Sequence, residues 1–77
     1  MNAKRRKALN DISKKIDELK SELEDLREEE EEYMENMPEN LWGSERYENS
    51  QECIDEMAEA EDSLEMFTSL IESIVDR

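Results

Sequence analysis

Residues 37–44 read MPENLWGS and hold the only proline and the only glycine of this 77-residue chain. Proline disfavours helical geometry in the residue before it, so this stretch predicts the end of one helix and a turn into another. Ser44 has the side chain of an N-cap residue, with Glu45 in the first turn after it, although Asn49 or Ser50 could begin the second helix later. Leu41 and Trp42 are expected to fold back over this end of the molecule.

Apolar residues recur in alternating steps of three and four on both sides of this turn, which is the pattern of a coiled-coil seam. The first series is Leu9, Ile12, Ile16, Leu19, Leu23, Leu26, Tyr33 and Met37, with Glu30 interrupting it. The second series is Cys53, Met57, Ala60, Leu64, Phe67, Ile71 and Ile74. The two series predict a helix over about 3–37, a turn over about 38–44 and a helix over about 45–76, with Asn2 available to cap the first helix.

The two series match in one antiparallel register, in which the numbers of facing residues add to 83. This register runs from a pair formed by Leu9 and Ile74 to a pair formed by Glu30 and Cys53. Because a short connection favours antiparallel neighbours, the predicted fold is all-α, a single domain over residues 1–77 built as a helical hairpin with coiled-coil packing. Cys53 is expected to be a small buried or half-buried filler.

The net charge of -14 is unevenly distributed. Residues 1–20 carry seven Lys/Arg against three Asp/Glu, whereas residues 21–77 carry three against twenty-one. An acidic body repels nucleic acid and anionic membranes and favours basic partners. The basic cluster over residues 4–7 lies, in the predicted register, beside the C-terminal end of the second helix, where exposed carbonyls favour cations; contact with phosphate or acidic lipid is the alternative.

The acids concentrate on both sides of the turn. Residues 22–39 and 44–61 face each other in the predicted register and carry seventeen carboxylates against Arg27 and Arg46. Over about 27 Å of helix this gives roughly one net charge per 1.8 Å, close to the value of about 1.7 Å for duplex DNA. Acid faces acid in this register, and Glu30 occupies a seam position. The pattern predicts a functional acidic surface, with a merely solvated face as the alternative.

The composition argues against an enzyme. With no His, one Cys and no Gly-rich loop, the chain lacks the common metal, nucleophile and phosphate-binding constellations. We expect no cofactor, and any divalent cation on the glutamate run would bind weakly and nonspecifically. A single cysteine and the absence of a membrane-length apolar run predict a soluble, cytoplasmic protein.

Residues 32–48, EYMENMPENLWGSERYE, resemble the turn of small acidic helical-hairpin proteins encoded by bacteriophages and related mobile elements. The resemblance covers the turn closely and the helices only by pattern. It implies a small accessory phage protein acting in the host cytoplasm, in a group that includes inhibitors of host defence such as anti-CRISPR proteins. It transfers no functional residue.

The leading functional prediction is an interaction protein that docks its acidic hairpin on a basic nucleic-acid-binding protein, such as a CRISPR-type effector, as a nucleic-acid mimic or competitor. The carboxylates expected to contact this partner are Glu28, Glu29, Glu31, Glu32, Glu35, Glu52, Asp55, Glu56 and Glu59. Trp42 and Tyr47 are aromatic anchors in this interpretation, and caps of the loop in the alternative one.

The rival prediction is a structural or assembly module that acts through a C-terminal apolar surface. The second helix becomes wide in apolar surface over its last turns, which predicts a homodimer joined near the open ends of two hairpins as a four-helix bundle. The residues expected to associate are Met66, Phe67, Leu70, Ile74 and Val75. A monomer with a few exposed apolar residues is the alternative, and direct nucleic-acid binding by the basic end is a third possibility that the acidic body opposes.

Overall fold

The computed structural model describes residues 1–77 as two long helices joined by a turn, without any strand. Helix α1 spans Ala3–Glu35 and helix α2 spans Glu45–Val75, with a short 3-10 helix, Glu39–Leu41, between them. The two helices pack antiparallel in a rod of 60 × 14 × 12 Å. The predicted all-α helical hairpin is therefore confirmed. Neither helix contains an apolar stretch long enough to cross a membrane.

Each helix begins at the predicted cap residue. The side chain of Asn2 accepts a hydrogen bond from the backbone N–H of Arg5 at 2.8 Å, and the Ser44 hydroxyl accepts one from the backbone N–H of Tyr47 at 3.3 Å. Both bonds satisfy backbone donors that have no partner inside the helix. Helix α1 ends two residues earlier than expected, because Asn36 caps it and the chain is already extended at Pro38, with φ -55° and ψ 142°.

The turn is closed by backbone hydrogen bonds and by one glycine. The N–H of Leu41 donates to the carbonyl of Pro38 at 2.8 Å, and the N–H of Ser44 donates to the carbonyl of Leu41 at 3.0 Å. Between them Gly43 has φ 86°, the only positive φ in the chain. Residues with a Cβ reach this left-handed region only at a cost, so Gly43 permits the reversal that brings α2 back along α1.

The register along the hairpin is close to the predicted one. Cross-helix hydrogen bonds join Glu30 to Ser50, Lys20 to Glu65, Asp17 to Thr68 and Arg27 to Glu61. The residue numbers of these pairs add to 80, 85, 85 and 88, which bracket the predicted 83. The spread is what long polar side chains produce when they reach along the helix axis.

The rotation of each helix about its own axis differs from the prediction. On α1 the side chains turned toward α2 are half-buried and include Ser13, Lys20, Arg27 and Met34 alongside the expected Leu9, Ile16, Leu23 and Glu30. The remaining predicted seam residues are exposed, with Ile12 at 41%, Leu19 at 51%, Leu26 at 55% and Tyr33 at 47%. On α2, Ile54, Glu61 and Thr68 likewise replace Cys53, Ala60 and Phe67, which are exposed. The prediction of one apolar seam facing the other helix is wrong at these seven positions.

The size of this rotation follows from helix geometry. Successive residues are separated by about 100° around an α-helix. On α1, residues at seven-residue intervals form lines along the helix. The predicted apolar stripe is centred between the line that starts at Leu9 and the line that starts at Ile12. The observed interface is centred between the Leu9 line and the line that starts at Ser13. The apolar stripe therefore points about 50° away from the partner helix.

The hairpin buries only a thin core. The buried hydrophobic residues are Met37, Ile54 and Ile71, and no side chain falls below 2% exposure. The accessible surface is 6027 Å². A compact protein of this mass is expected to expose roughly 4,900 Å². The rod therefore leaves an excess of surface for its mass.

Gly43→Ala is expected to lower the free energy of unfolding by about 1 kcal/mol, because alanine must adopt the left-handed conformation. A Cβ at Gly43 would have nothing within 4 Å, so the backbone conformation is the sole cause. Gly43→Asn is the matched control and should cost less, since asparagine tolerates this region. Urea denaturation followed by circular dichroism measures both, and equal, negligible losses would contradict the positive φ.

Candidate interaction surfaces

Arg27 is the centre of the polar side of the helix interface. Its Nε lies 2.6 Å from a carboxylate oxygen of Glu61, its Nη2 lies 3.3 Å from the other oxygen, and its Nη1 donates to Glu31 at 2.7 Å. Glu61 is 6% exposed. The hydrogen bond with Glu61, followed by that with Glu31, raises the pKa of Arg27 above its ordinary value, so the guanidinium keeps its charge.

A second polar contact lies nearer the turn. The hydroxyl of Ser50, which is 4% exposed, donates to Oε1 of Glu30 at 2.8 Å. Glu30 therefore occupies a seam position, as predicted, and its carboxylate has a hydrogen-bond partner there. Nearer the open end, Lys20 reaches Glu65 at 3.4 Å. Lys20 and Arg27 thus form polar pairs along one flank of the interface, whereas Glu30 and Ser50 lie toward the other flank, beside Tyr33 and Cys53.

The carboxylates predicted to contact a partner lie on two separate ridges. Glu28, Glu29, Glu32 and Glu35 are exposed and occupy the side of α1 turned away from α2, which we call the α1 ridge. Glu52, Asp55, Glu56 and Glu59 follow the spacing i, i+3, i+4, i+7 on the outer side of α2, which we call the α2 ridge.

The two ridges face opposite directions, so their carboxylates do not meet across the interface. The register sets Glu28 level with Asp55, but the two side chains extend from opposite sides of the hairpin. Glu31, predicted to oppose Glu52, lies instead beside Arg27. The prediction that acid faces acid across the interface is therefore wrong, and the helix rotation explains why.

The charge nevertheless remains concentrated and poorly neutralised. Residues 28–59 carry thirteen Asp/Glu and a single cation, Arg46. Of the nine carboxylates predicted to contact a partner, Glu31 pairs with Arg27 and Asp55 accepts a hydrogen bond from Gln51 at 3.0 Å. The side-chain carboxylates of the other seven accept no hydrogen bond from the protein. They remain available to a cationic partner.

The two aromatic residues predicted as anchors meet at the turn. Trp42 and Tyr47 stack with ring centroids 5.9 Å apart and an interplanar angle of 28°. The indole N–H of Trp42 donates to the carbonyl of Met37 at 3.0 Å, which ties the ring to the end of α1. Tyr47 is half-buried and Trp42 is 50% exposed. The pair closes the turn, and half of the indole surface stays accessible at the tip of the rod.

A shallow, open depression lies beside the turn. It is lined by Glu30, Tyr33, Glu45, Arg46, Asn49, Ser50 and Cys53. Cys53 is exposed, and the prediction of a buried filler is wrong because Ile54 takes the seam position. No three His, Cys, Asp or Glu side chains converge in the geometry of a metal site.

The flank of the hairpin opposite Arg27 is apolar and exposed. Leu26 and Ala60 each precede one member of the Arg27–Glu61 pair by one residue. Because the helices run antiparallel, that backward step of about 100° moves both residues to the same side of the rod. Residues at seven-residue intervals from Leu26 and from Ala60 lie on this same side. Together they define the apolar face: Ile12, Leu19, Leu26, Tyr33, Cys53, Ala60, Phe67 and Ile74.

Sequence reasoning recognised only the end of this apolar face. Phe67 is 43% exposed and Ile74 is half-buried, as is Val75, while Met66 at 67% and Leu70 at 60% project further outward from α2. The part of the apolar face that lies on α1 was not predicted, because Ile12, Leu19, Leu26 and Tyr33 were assigned to the interface with α2. The seven-residue repeat of Ile12, Leu19 and Leu26 was the available signal.

No protein family matches the sequence, and no curated protein or solved structure matches it either.

Arg27→Met is expected to destabilise the hairpin, because it leaves the carboxylate of Glu61 in the interface without its cation. Arg46→Met is the matched control and should change the free energy of unfolding little, since Arg46 is exposed and forms no salt bridge. Adding Glu61→Leu to Arg27→Met should restore most of the lost stability. Urea titration measures all three, and equal stability of the two single variants would contradict the role given to Arg27.

Proposed function

We propose that this chain is a non-enzymatic binding protein that docks its acidic, turn-proximal half on a basic nucleic-acid-binding surface of another protein and competes there with nucleic acid. The observation that supports this most is the charge of residues 28–59, with thirteen Asp/Glu against one Arg. Most of the carboxylates on the two ridges are exposed and unpaired. A cationic groove would therefore gain attraction to several of them at once.

The two ridges favour a groove over a flat patch. Two side-by-side helices are about 20 Å across, and each outer side of this rod carries carboxylates. A cleft that closes around nucleic acid would meet negative charge on both walls. A flat basic surface would meet only the α1 ridge or only the α2 ridge.

Trp42 supplies an apolar contact at the tip of the rod. Its ring is held by Tyr47 and by the carbonyl of Met37, so little side-chain freedom remains to be lost on binding. Tryptophan and tyrosine are enriched among the residues that dominate interface energies. We assign the anchoring role to Trp42 and the supporting role to Tyr47.

The class of target follows from the charge and from the resemblance of the turn. A basic protein that holds nucleic acid is the chemical complement of the ridges. The resemblance of residues 32–48 to phage accessory proteins adds a host-defence effector of the CRISPR type, with this chain as its inhibitor in the host cytoplasm.

A charge-reversal variant tests the proposal. Changing Glu28, Glu29, Glu32 and Glu35 to Lys alters net charge by +8 and should weaken competition for a nucleic-acid site by at least about tenfold, because several attractive contacts become repulsive. The measurement is displacement of a fluorescent oligonucleotide from purified basic nucleic-acid-binding proteins, including a CRISPR-type effector, at about 50 and 200 mM salt.

The matched control changes four other acidic residues to Lys and so alters the net charge equally. These residues are exposed and lie outside the two ridges: Glu18, Glu22, Asp62 and Glu72. The control should compete as the unmodified chain does. Equal loss in both variants would show that only net charge matters. A failure of the unmodified chain to displace nucleic acid from any target would overturn the proposal.

A second candidate function is an assembly module, and the exposure of Met66, Leu70 and Phe67 on α2 favours it. In this candidate the chain is a homodimer that associates through apolar surface into a four-helix bundle, and the ridges keep the assembly soluble. Self-association measured by sedimentation equilibrium separates the two candidates. The charge reversals should leave it intact, whereas apolar-to-polar changes should weaken it.

A further inference from the structure

We propose that two copies of this chain associate through the whole apolar face in antiparallel orientation, with the turn of each hairpin beside the open end of the other. This deepens the assembly candidate, on which it rests, by replacing the C-terminal surface of Met66 and Leu70 with the apolar face and by naming the orientation. It does not depend on whether the two ridges bind another protein.

The rotation of the helices supports this geometry. In a two-helix coiled coil the apolar stripe of each helix points at its partner. In a four-helix bundle the stripe points at the bundle axis, which for helices at the corners of a square lies about 45° from the direction of each neighbour. The stripe of this hairpin points about 50° away from the neighbouring helix, toward the apolar face. The hairpin therefore has the geometry of one half of a four-helix bundle.

The exposed area is also that of an interface. The apolar face runs about 32 Å from Ile12 to Tyr33 and is about 20 Å wide, which gives roughly 1,300 Å² for two copies. Specific interfaces bury about 1,200–2,000 Å². The hairpin has no fully buried side chain, so covering this face would supply the core that each copy lacks.

The charge distribution selects the antiparallel orientation. Residues 21–61, which form the turn half, carry seventeen Asp/Glu and two Arg, a net charge of -15. The remaining residues carry eight Lys/Arg and seven Asp/Glu, a net charge of +1. A parallel pair would place one -15 half beside the other. An antiparallel pair places each acidic half beside the nearly neutral half that contains the basic cluster at residues 4–7.

Side-chain volume selects the same orientation. In the observed register Phe67 lies level with Leu19, and Ala60 lies level with Leu26. A parallel pair would stack two Phe67 and two Leu19 in one layer and two Ala60 in the next. An antiparallel pair sets the layer of Phe67 and Leu19 in each copy against the layer of Ala60 and Leu26 in the other. Large and small side chains then alternate, which fills the core evenly.

A label on one exposed residue tests the orientation. In a Cys53→Ala background, Gln51→Cys carries a spin label on the side of the rod away from the apolar face. The antiparallel bundle should place the two labels about 35 Å apart along its axis and about 25 Å apart across it, a total of about 43 Å, whereas a parallel bundle should leave only the separation of about 25 Å across it. Sedimentation equilibrium of the unlabelled chain should show a dimer at 100 µM or below, on the order of ordinary binding affinities. A monomer, or the shorter label distance, would overturn the proposal.

Single substitutions test the surface. Leu26→Gln should raise the dimer dissociation constant at least about tenfold, because a symmetric dimer contains the change twice. Met66→Gln is the matched control, since Met66 is 67% exposed on the outer side of α2, away from the apolar face, and should leave dimerisation unchanged. Dissociation by Met66→Gln but not by Leu26→Gln would instead favour association at the open ends. The ridge reversals reduce the net charge of the turn half from -15 to about -7, which still opposes a parallel pair, so they should leave the label distance unchanged.

Discussion

The ion pair of Arg27 with Glu61 sets the rotation on which the rest of this structure depends. A carboxylate that is 6% exposed is strongly unfavourable without a cation, so α1 and α2 must turn until the guanidinium reaches it at 2.6 Å. Lys20 with Glu65 holds the same orientation toward the open end. With these polar groups in contact, the leucines that precede Lys20 and Arg27 are carried to the outside.

The sequence predicts the features that local chemistry determines, and it fails where a pattern permits two partners. Asn2 and Ser44 begin the helices because their side chains accept from orphan N–H groups, and Pro38 with Gly43 places the turn. A heptad repeat, however, specifies a stripe and not what covers it, so the same residues suit a two-helix seam or one corner of a larger bundle. Polar residues one step after the leucines were the signal that separates these arrangements.

For the acidic surface, composition predicts the charge but not how the side chains are oriented. Its charge and its place beside the turn follow from composition, and the structure retains both. The opposition of acid to acid depended on the rotation and disappeared with it, because Glu28 and Asp55 point in opposite directions. Two outward ridges are an ordinary arrangement for a helix pair, and the feature that favours a basic partner is the lack of neutralising cations along residues 28–59.

The stacked Trp42 and Tyr47 at the turn have a consequence for the order in which the hairpin folds. Contacts near the turn join residues close in sequence, such as Glu30 and Ser50, whereas the open end joins residues separated by most of the chain. Because closing a short loop is fast and costs less entropy, we expect the helices to zip from the turn toward the termini. The only tryptophan of the chain therefore lies where the hairpin begins to form.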